Sequence, residues 1–213
     1  MTDGAVQTNG WQRFWNRGGW WRALLITVVY AILYQLVGLA ISAVFGGFID
    51  HESIFADGAS VFFGVALPIL ISGVLLTLFV WSVGWLPTLL QRQPVGGRGW
   101  MWIAVVLVLV PVVLRLVATD WSNYSIDVVL AILFLGLCIG FSEELLTRGV
   151  GVNLLRLGGY SERLVLVLSS LLFAVLHSTN ALTGQTPLVV GVTVIYAFGF
   201  GATMYLSMRV TGS

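Results

Sequence analysis

Charge is scarce in this 213-residue chain: Asp, Glu, Lys and Arg make up 9% of it, against 58% hydrophobic residues. Mean hydropathy is +0.98, which excludes the usual balance of a soluble globular domain. The formal net charge of +1 has no basic run behind it, so nucleic acid is excluded as an expected partner. One cysteine, Cys138, is present, so no intramolecular disulfide can form. Its place in an apolar run makes it core filler. Internal repeats and low-complexity tracts do not stand out. A secretory signal peptide is not expected at the start, because MTDGAVQTNGWQRFWNRGGWWR is polar and aromatic and Ala23 to Ile49 is too long for a signal core.

What the chain does have is long runs without charge: Ala23 to Ile49, Gly58 to Gln91, Gly99 to Leu114 and Leu164 to Met208. A spanning helix needs about 20 apolar residues, and helices are the expected element because lipid offers no partner to open backbone groups. The runs predict an all-α integral membrane protein with about six transmembrane helices, at 23–46, 62–86, 99–118, 127–148, 163–180 and 187–207. An even count places both termini on one side. Arg13, Arg17, Arg22, Arg92, Arg98, Arg156, Arg163 and Arg209 fall on that side, and Asp50, Glu52, Asp57, Asp120 and Asp127 on the other. The positive-inside rule then puts the N-terminus in the cytoplasm, and the plasma membrane is the expected location. Arg115 is the exception, near an outer helix end where it can snorkel.

The chain divides into a cytoplasmic interfacial segment 1–22, N-terminal transmembrane helices 23–125, and a region 126–213 that carries the chemistry. In the first, Arg13, Arg17 and Arg22 alternate with Trp11, Trp15, Trp20 and Trp21, the pattern of a headgroup-level anchor. Gly136 and Gly140 have G-x-x-x-G spacing, a weak signal among 25 glycines. His51 is expected in solvent, and Asn153 and Asn180 as cavity lining or turn polarity.

Glu143, Glu144 and Arg148 stand inside the fourth expected span, 127–148. The turn at Gly158-Gly159-Tyr160-Ser161 lies 14 residues beyond Glu144, about 21 Å of helix. His177 lies 16 residues after Ser161 on the returning helix, about 24 Å from the same turn. Antiparallel packing brings the glutamates and His177 to one depth, and ionisable groups at membrane depth are commonly kept for chemistry, transport or a specific internal contact. Glu144 and Arg148 are four apart and can pair. That leaves Glu143, about 100° round the helix, to take a proton from water. Phe173, four before His177, can restrict the imidazole. A purely structural ion pair and a packing histidine are the alternatives.

Two stretches carry a resemblance. Glu143-Glu144-Leu145-Leu146-Thr147-Arg148 matches E-E-x-x-x-R, and Phe173-Ala174-Val175-Leu176-His177 matches F-x-x-x-H. Both are similar to motifs of the CAAX prenyl endopeptidase and bacteriocin-processing family, the CPBP or Abi intramembrane proteases. The resemblance implies a CAAX prenyl endopeptidase-like helical bundle. In it, Glu143 and His177 are catalytic and activate water, and Glu144, Arg148 and Phe173 support them. It implies a peptide or protein substrate at the membrane, lipidated in some members, with membrane lipids as further partners. No cofactor is required by it. A divalent metal such as zinc is admitted, with Glu143 and His177 as its ligands, although H-E-x-x-H is absent. Family sequences continue after a T-G-S-[LI]-W-like stretch into a helix bearing H-x-x-x-N or H-x-x-x-D, and Val210-Thr211-Gly212-Ser213 stands where that helix begins. The expectation is therefore a bundle lacking C-terminal helices and an incomplete catalytic region. A non-catalytic scaffold or immunity protein of the same fold and a small-solute transporter are the other functions weighed.

Overall fold

The computed structural model describes residues 9–212. Side-chain placement at Asn180, Leu182 and Thr183 lies outside that description, as does the expected role of Asn180, and residues 1–8 of the interfacial segment are likewise outside it. The described residues form helices: α1 Gly10–Asn16, α2 Trp20–Phe45, α3 Gly58–Ser82, α4 Leu86–Leu90, α5 Trp102–Ala118, α6 Ile126–Leu157, α7 Glu162–His177 and α8 Pro187–Thr211. Apolar side chains cover the outside, among them Leu39, Val44, Val117, Leu137 and Ile195, as expected of a surface solvated by lipid rather than water.

The expected six-span bundle without its C-terminal helices is corrected on two counts. Five helices are long and apolar enough to cross a membrane: Trp20–Phe48, Gly58–Ser82, Gly99–Ala118, Ile126–Leu157 and Pro187–Thr211. The segment expected at 163–180 is a 16-residue helix, α7, about 24 Å long and below the length of a span. Polar Ser178 and Thr179 follow it as a 3₁₀ turn. The C-terminal helix is in place, 25 residues from Pro187 to Thr211. Its start is fixed by Pro187 in the first turn and by the Thr186 hydroxyl, which accepts from Val189 N–H at 3.4 Å.

α7 and α8 form the most extensive helix pair of the bundle. The approach depends on Gly201, where a Cβ would lie 3.1 Å from Ser170 Cα. α2, α3 and α6 pack together on the other side, and their apolar faces merge into a core that includes Tyr30, Leu76, Val80, Leu146, Val150 and Leu172. The N-terminal segment docks on this bundle more closely than an interfacial collar requires. Trp15 is buried against Phe79 and Phe14, Asn16 Oδ1 accepts from Trp85 Nε1 at 2.7 Å, and Trp11 Nε1 donates to Ser82 Oγ at 3.0 Å. Gly18, at φ +62, turns the chain into α2 so tightly that a Cβ there would strike the backbone of Leu154 to Gly158.

One end of the bundle gathers arginines around a single acid. Glu162 accepts from Arg156 Nε at 2.9 Å and Nη2 at 3.0 Å, from Arg209 Nη1 at 2.9 Å, and from the Tyr205 hydroxyl. Arg209 also donates to the carbonyls of Val95 and Gly96, and Arg156 to Gln93, so the 93–96 loop is tied to the α6–α7 turn and the end of α8. At the opposite end Asp127 accepts from Gly58 N–H at 2.8 Å and Ser60 Oγ from Asp50 N–H at 2.8 Å. The Glu162 carboxyl is held below its ordinary value. Burial, the largest single influence, pushes it up, but hydrogen bonds from Arg156 and Tyr205 with the Arg156 and Arg209 charges outweigh it. A lowered carboxyl contributes stability above its unfolded value of about 4.5, lost as pH falls through the lower folded value. Glu162→Gln is expected to cost roughly 1 kcal/mol at pH 7 after allowance for its partial exposure. In thermal unfolding of detergent-solubilised protein the deficit against wild type should shrink as pH falls below that of an ordinary carboxyl.

Candidate functional site

α6 is helical throughout, yet not regular. After Glu144 the backbone widens into a π-helical stretch from Leu145 to Gly151 before the α-helix resumes at Val152. A π turn carries an extra residue per turn and shifts the register of everything beyond it, and such turns concentrate at functional sites. Glu143 and Glu144 are the last residues of the regular segment, and they open into different cavities.

Glu143 lines a cleft of about 170 Å³ together with Tyr30, Tyr34, Ser142, His177 and Thr179. Three helices, α2, α6 and α7, therefore contribute polar groups to one space deep in the bundle. Glu144 lines a mainly apolar cavity of about 260 Å³ with Leu86, Leu89, Phe141, Arg148 and Met208. Leu89, Gln93, Arg148 and Gly149 continue that groove into a neighbouring cavity of about 230 Å³ lined also by Asn153 and Arg156.

Arg148 connects the elements. It is 5% exposed, and its Nη1 lies 3.4 Å from Glu144 Oε1 and donates to Thr147 Oγ1. From Nη2 it donates to the Gly201 carbonyl on α8 at 3.2 Å, and its guanidinium carbon sits 4.6 Å from the centre of the Phe173 ring on α7. A buried guanidinium thus has a carboxylate, a hydroxyl, a carbonyl and a π face around it, which offsets the cost of removing its charge from water. Thr147 in turn donates to the Glu143 carbonyl at 2.6 Å.

Phe173 is buried and packs on His177, with ring centroids 4.7 Å apart at 49°. His177 Nδ1 lies 2.9 Å from the Phe173 carbonyl oxygen. A carbonyl can only accept, so this contact requires the proton on Nδ1 and leaves the Nε2 lone pair available. Glu143 and His177 are thus brought to one cleft, while Glu144, Arg148 and Phe173 form a chain of contacts beside it. Among the described residues no group of three or more His, Cys, Asp or Glu side chains is placed to hold a metal ion. Glu143 and His177 alone fall short of the three protein donors of a catalytic zinc, so the metal the resemblance admits has no fitting donor set there.

Residues 125–213 match the Rce1-like family, type II CAAX prenyl endopeptidases. The match covers α6, α7 and α8, so the Rce1-like part of this membrane protein contains Glu143, Glu144, Arg148, Phe173, His177 and the Gly201 carbonyl. α2 and α3 lie outside it. No curated protein and no solved structure matches the chain.

Tyr30 and Tyr34 escaped the sequence reading. They are four apart in the apolar run AILYQL, and that spacing of hydroxyls inside a span was a usable signal. The Gly201 carbonyl and the π turn had none. Gly136 and Gly140 show no neighbour within 4 Å of an added Cβ, so their spacing marks no helix approach within this chain. Cys138 is buried, His51 is exposed, and Asn153 is on the groove wall.

Removing Arg148 strands Glu144 and strips the Gly201 carbonyl of its donor. Arg148→Ala should lower stability by about 3 kcal/mol, read as a large drop in Tm in detergent micelles. Arg148→Lys, which keeps the charge and loses the planar fork over Phe173, should fall between the two.

Proposed function

We propose that this protein is a membrane-embedded endopeptidase that hydrolyses a peptide bond near the membrane, with residues 126–213 as its catalytic region. The observation that carries the reading is the shared cleft: a carboxylate and an imidazole with a free Nε2 line one space inside the bundle. The Rce1-like match supports it.

Glu143 takes a proton from a water molecule, and the resulting hydroxide adds to the scissile carbonyl carbon. The carbon–nitrogen bond then breaks, and the departing amine takes the proton back from the Glu143 carboxyl, which restores the carboxylate. His177 Nε2 accepts a hydrogen bond from the second hydrogen of the water and fixes its direction of attack. Phe173, stacked between Arg148 and His177, keeps the imidazole in that orientation through its carbonyl and its ring. Glu144 neutralises Arg148 and performs no proton transfer in this scheme.

The substrate class follows from the family, whose description names CAAX prenyl endopeptidases: a peptide or protein held at the membrane by a lipid group. The end of the bundle at which Arg156 and Arg209 gather is assigned to the cytoplasm by the positive-inside rule, which fits a plasma-membrane protein acting on cytoplasmic tails.

The test is cleavage of a farnesylated CAAX peptide by the full chain in proteoliposomes, followed by mass spectrometry of the released tripeptide. Glu143→Gln and His177→Ala should each reduce the rate by about 10²–10⁴-fold, with unchanged melting profiles. A Glu143→Gln protein that cleaves at the wild-type rate would sink the assignment.

A further inference from the structure

Hydrolysis also needs a donor at the carbonyl oxygen, which acquires a full negative charge when hydroxide adds. Neither Glu143 as carboxylate nor His177 Nε2 as acceptor can supply one. Four hydroxyls line the cleft: that of Thr179 is spent on the Leu176 carbonyl at 2.7 Å and that of Ser142 points to the Ile69 carbonyl at 3.5 Å, which leaves Tyr30 and Tyr34, both from α2 and both outside the Rce1-like match.

Depth separates them. Gly19 N–H donates to the Leu154 carbonyl at 2.7 Å, which sets the start of α2 level with the end of α6. At about 1.5 Å per residue, Tyr30 then stands about 16 Å and Tyr34 about 22 Å above that level. Glu143, eleven residues before Leu154, is at about 16 Å, and His177 at about 24 Å above the turn. Helical side chains lean toward their own N-termini. Tyr34 and His177 therefore lean down, and Glu143 on the antiparallel α6 leans up, toward a common level between them.

Engagement separates them further. Tyr30 is buried, with its hydroxyl beside Ser142 and Glu143. Tyr34 is half-buried, lines the cleft, and has no hydrogen-bond partner for its hydroxyl among the described residues. A phenol stays protonated at neutral pH and offers one donor on a ring with two torsions, and in a site walled by Ile69, Ile139 and Leu176 its bond to an oxyanion is little weakened by water.

We propose that Tyr34 is a catalytic residue of this site, its hydroxyl donating to the oxygen of the scissile carbonyl as that oxygen becomes an oxyanion. Tyr30 acts through Ser142 as a positioning residue at the Glu143 wall. This inference rests on the peptidase reading and extends it to a helix that the family match does not include.

Tyr34→Phe removes one oxygen and keeps the ring, so the fold should be retained and its melting profile should match wild type. In the farnesylated CAAX peptide assay kcat should fall about 10²-fold, the loss typical of one oxyanion donor, with KM within about threefold and the pH profile unmoved. The same substitution should weaken binding of a phosphonate analogue of the tetrahedral intermediate by a similar factor, and binding of the uncleaved peptide by little. Wild-type kcat and analogue affinity in Tyr34→Phe, beside an inactive Glu143→Gln protein, would overturn this inference alone. A loss confined to KM would overturn it as well. Absence of cleavage by wild type, or full activity of Glu143→Gln, would overturn the peptidase reading and this inference with it.

Discussion

The buried guanidinium of Arg148 is the contact on which the arrangement of the site depends. It is a buried cation whose partners come from three helices: Glu144 and Thr147 on α6, Phe173 on α7, and the Gly201 carbonyl on α8. A cation removed from water needs its donors occupied. Sliding α8 by one turn would cost it the Gly201 carbonyl, and rotating α7 by one position the Phe173 ring. The depth of His177 relative to Glu143 is therefore set by the requirements of a neighbour that faces the other cavity.

Consecutive glutamates have different surroundings because of the helix that bears them. In a regular helix, adjacent residues diverge by about 100°, which already separates Glu143 from Glu144. The π turn that begins at Leu145 then resets the register, so that Arg148 reaches across to α7 and α8 while Glu144 stays beside it. Glu143 is left facing the cleft with His177 and two tyrosines. Helix rotation together with the turn that follows thus leaves one carboxylate compensated and the other with an imidazole and hydroxyls as neighbours.

A second polar cluster keeps the other ends of these helices in place. Glu162 joins the first turn of α7 to Arg156 at the end of α6 and to Tyr205 and Arg209 at the end of α8. Together with the Arg148 contacts it pins α7 against α8 at two depths. A helix of 16 residues, short for a membrane crossing, is held by these polar contacts as well as by its apolar face.

Membrane residence, all-helical structure, the positions of the long apolar runs and the identity of the charged cluster were legible in the sequence, because hydropathy, charge counts and i,i+4 spacing are local properties. The E-E-x-x-x-R and F-x-x-x-H stretches lie within the Rce1-like match for the same reason. The number of helices long enough to span was not legible: the segment expected at 163–180 is correctly located, but its α-helix is only 16 residues and closes in the 3₁₀ turn at Ser178. Burial of Trp15 was hidden too, since a tryptophan that anchors at headgroups and one that fills a core read alike until α3 is placed beside it. The π turn, the Gly201 acceptor and the entry of Tyr30 and Tyr34 into the cleft of Glu143 and His177 were decided only by tertiary structure. Each depends on which face of one helix meets which face of another, and a one-dimensional pattern of nearly uniform hydrophobicity leaves that rotation unspecified.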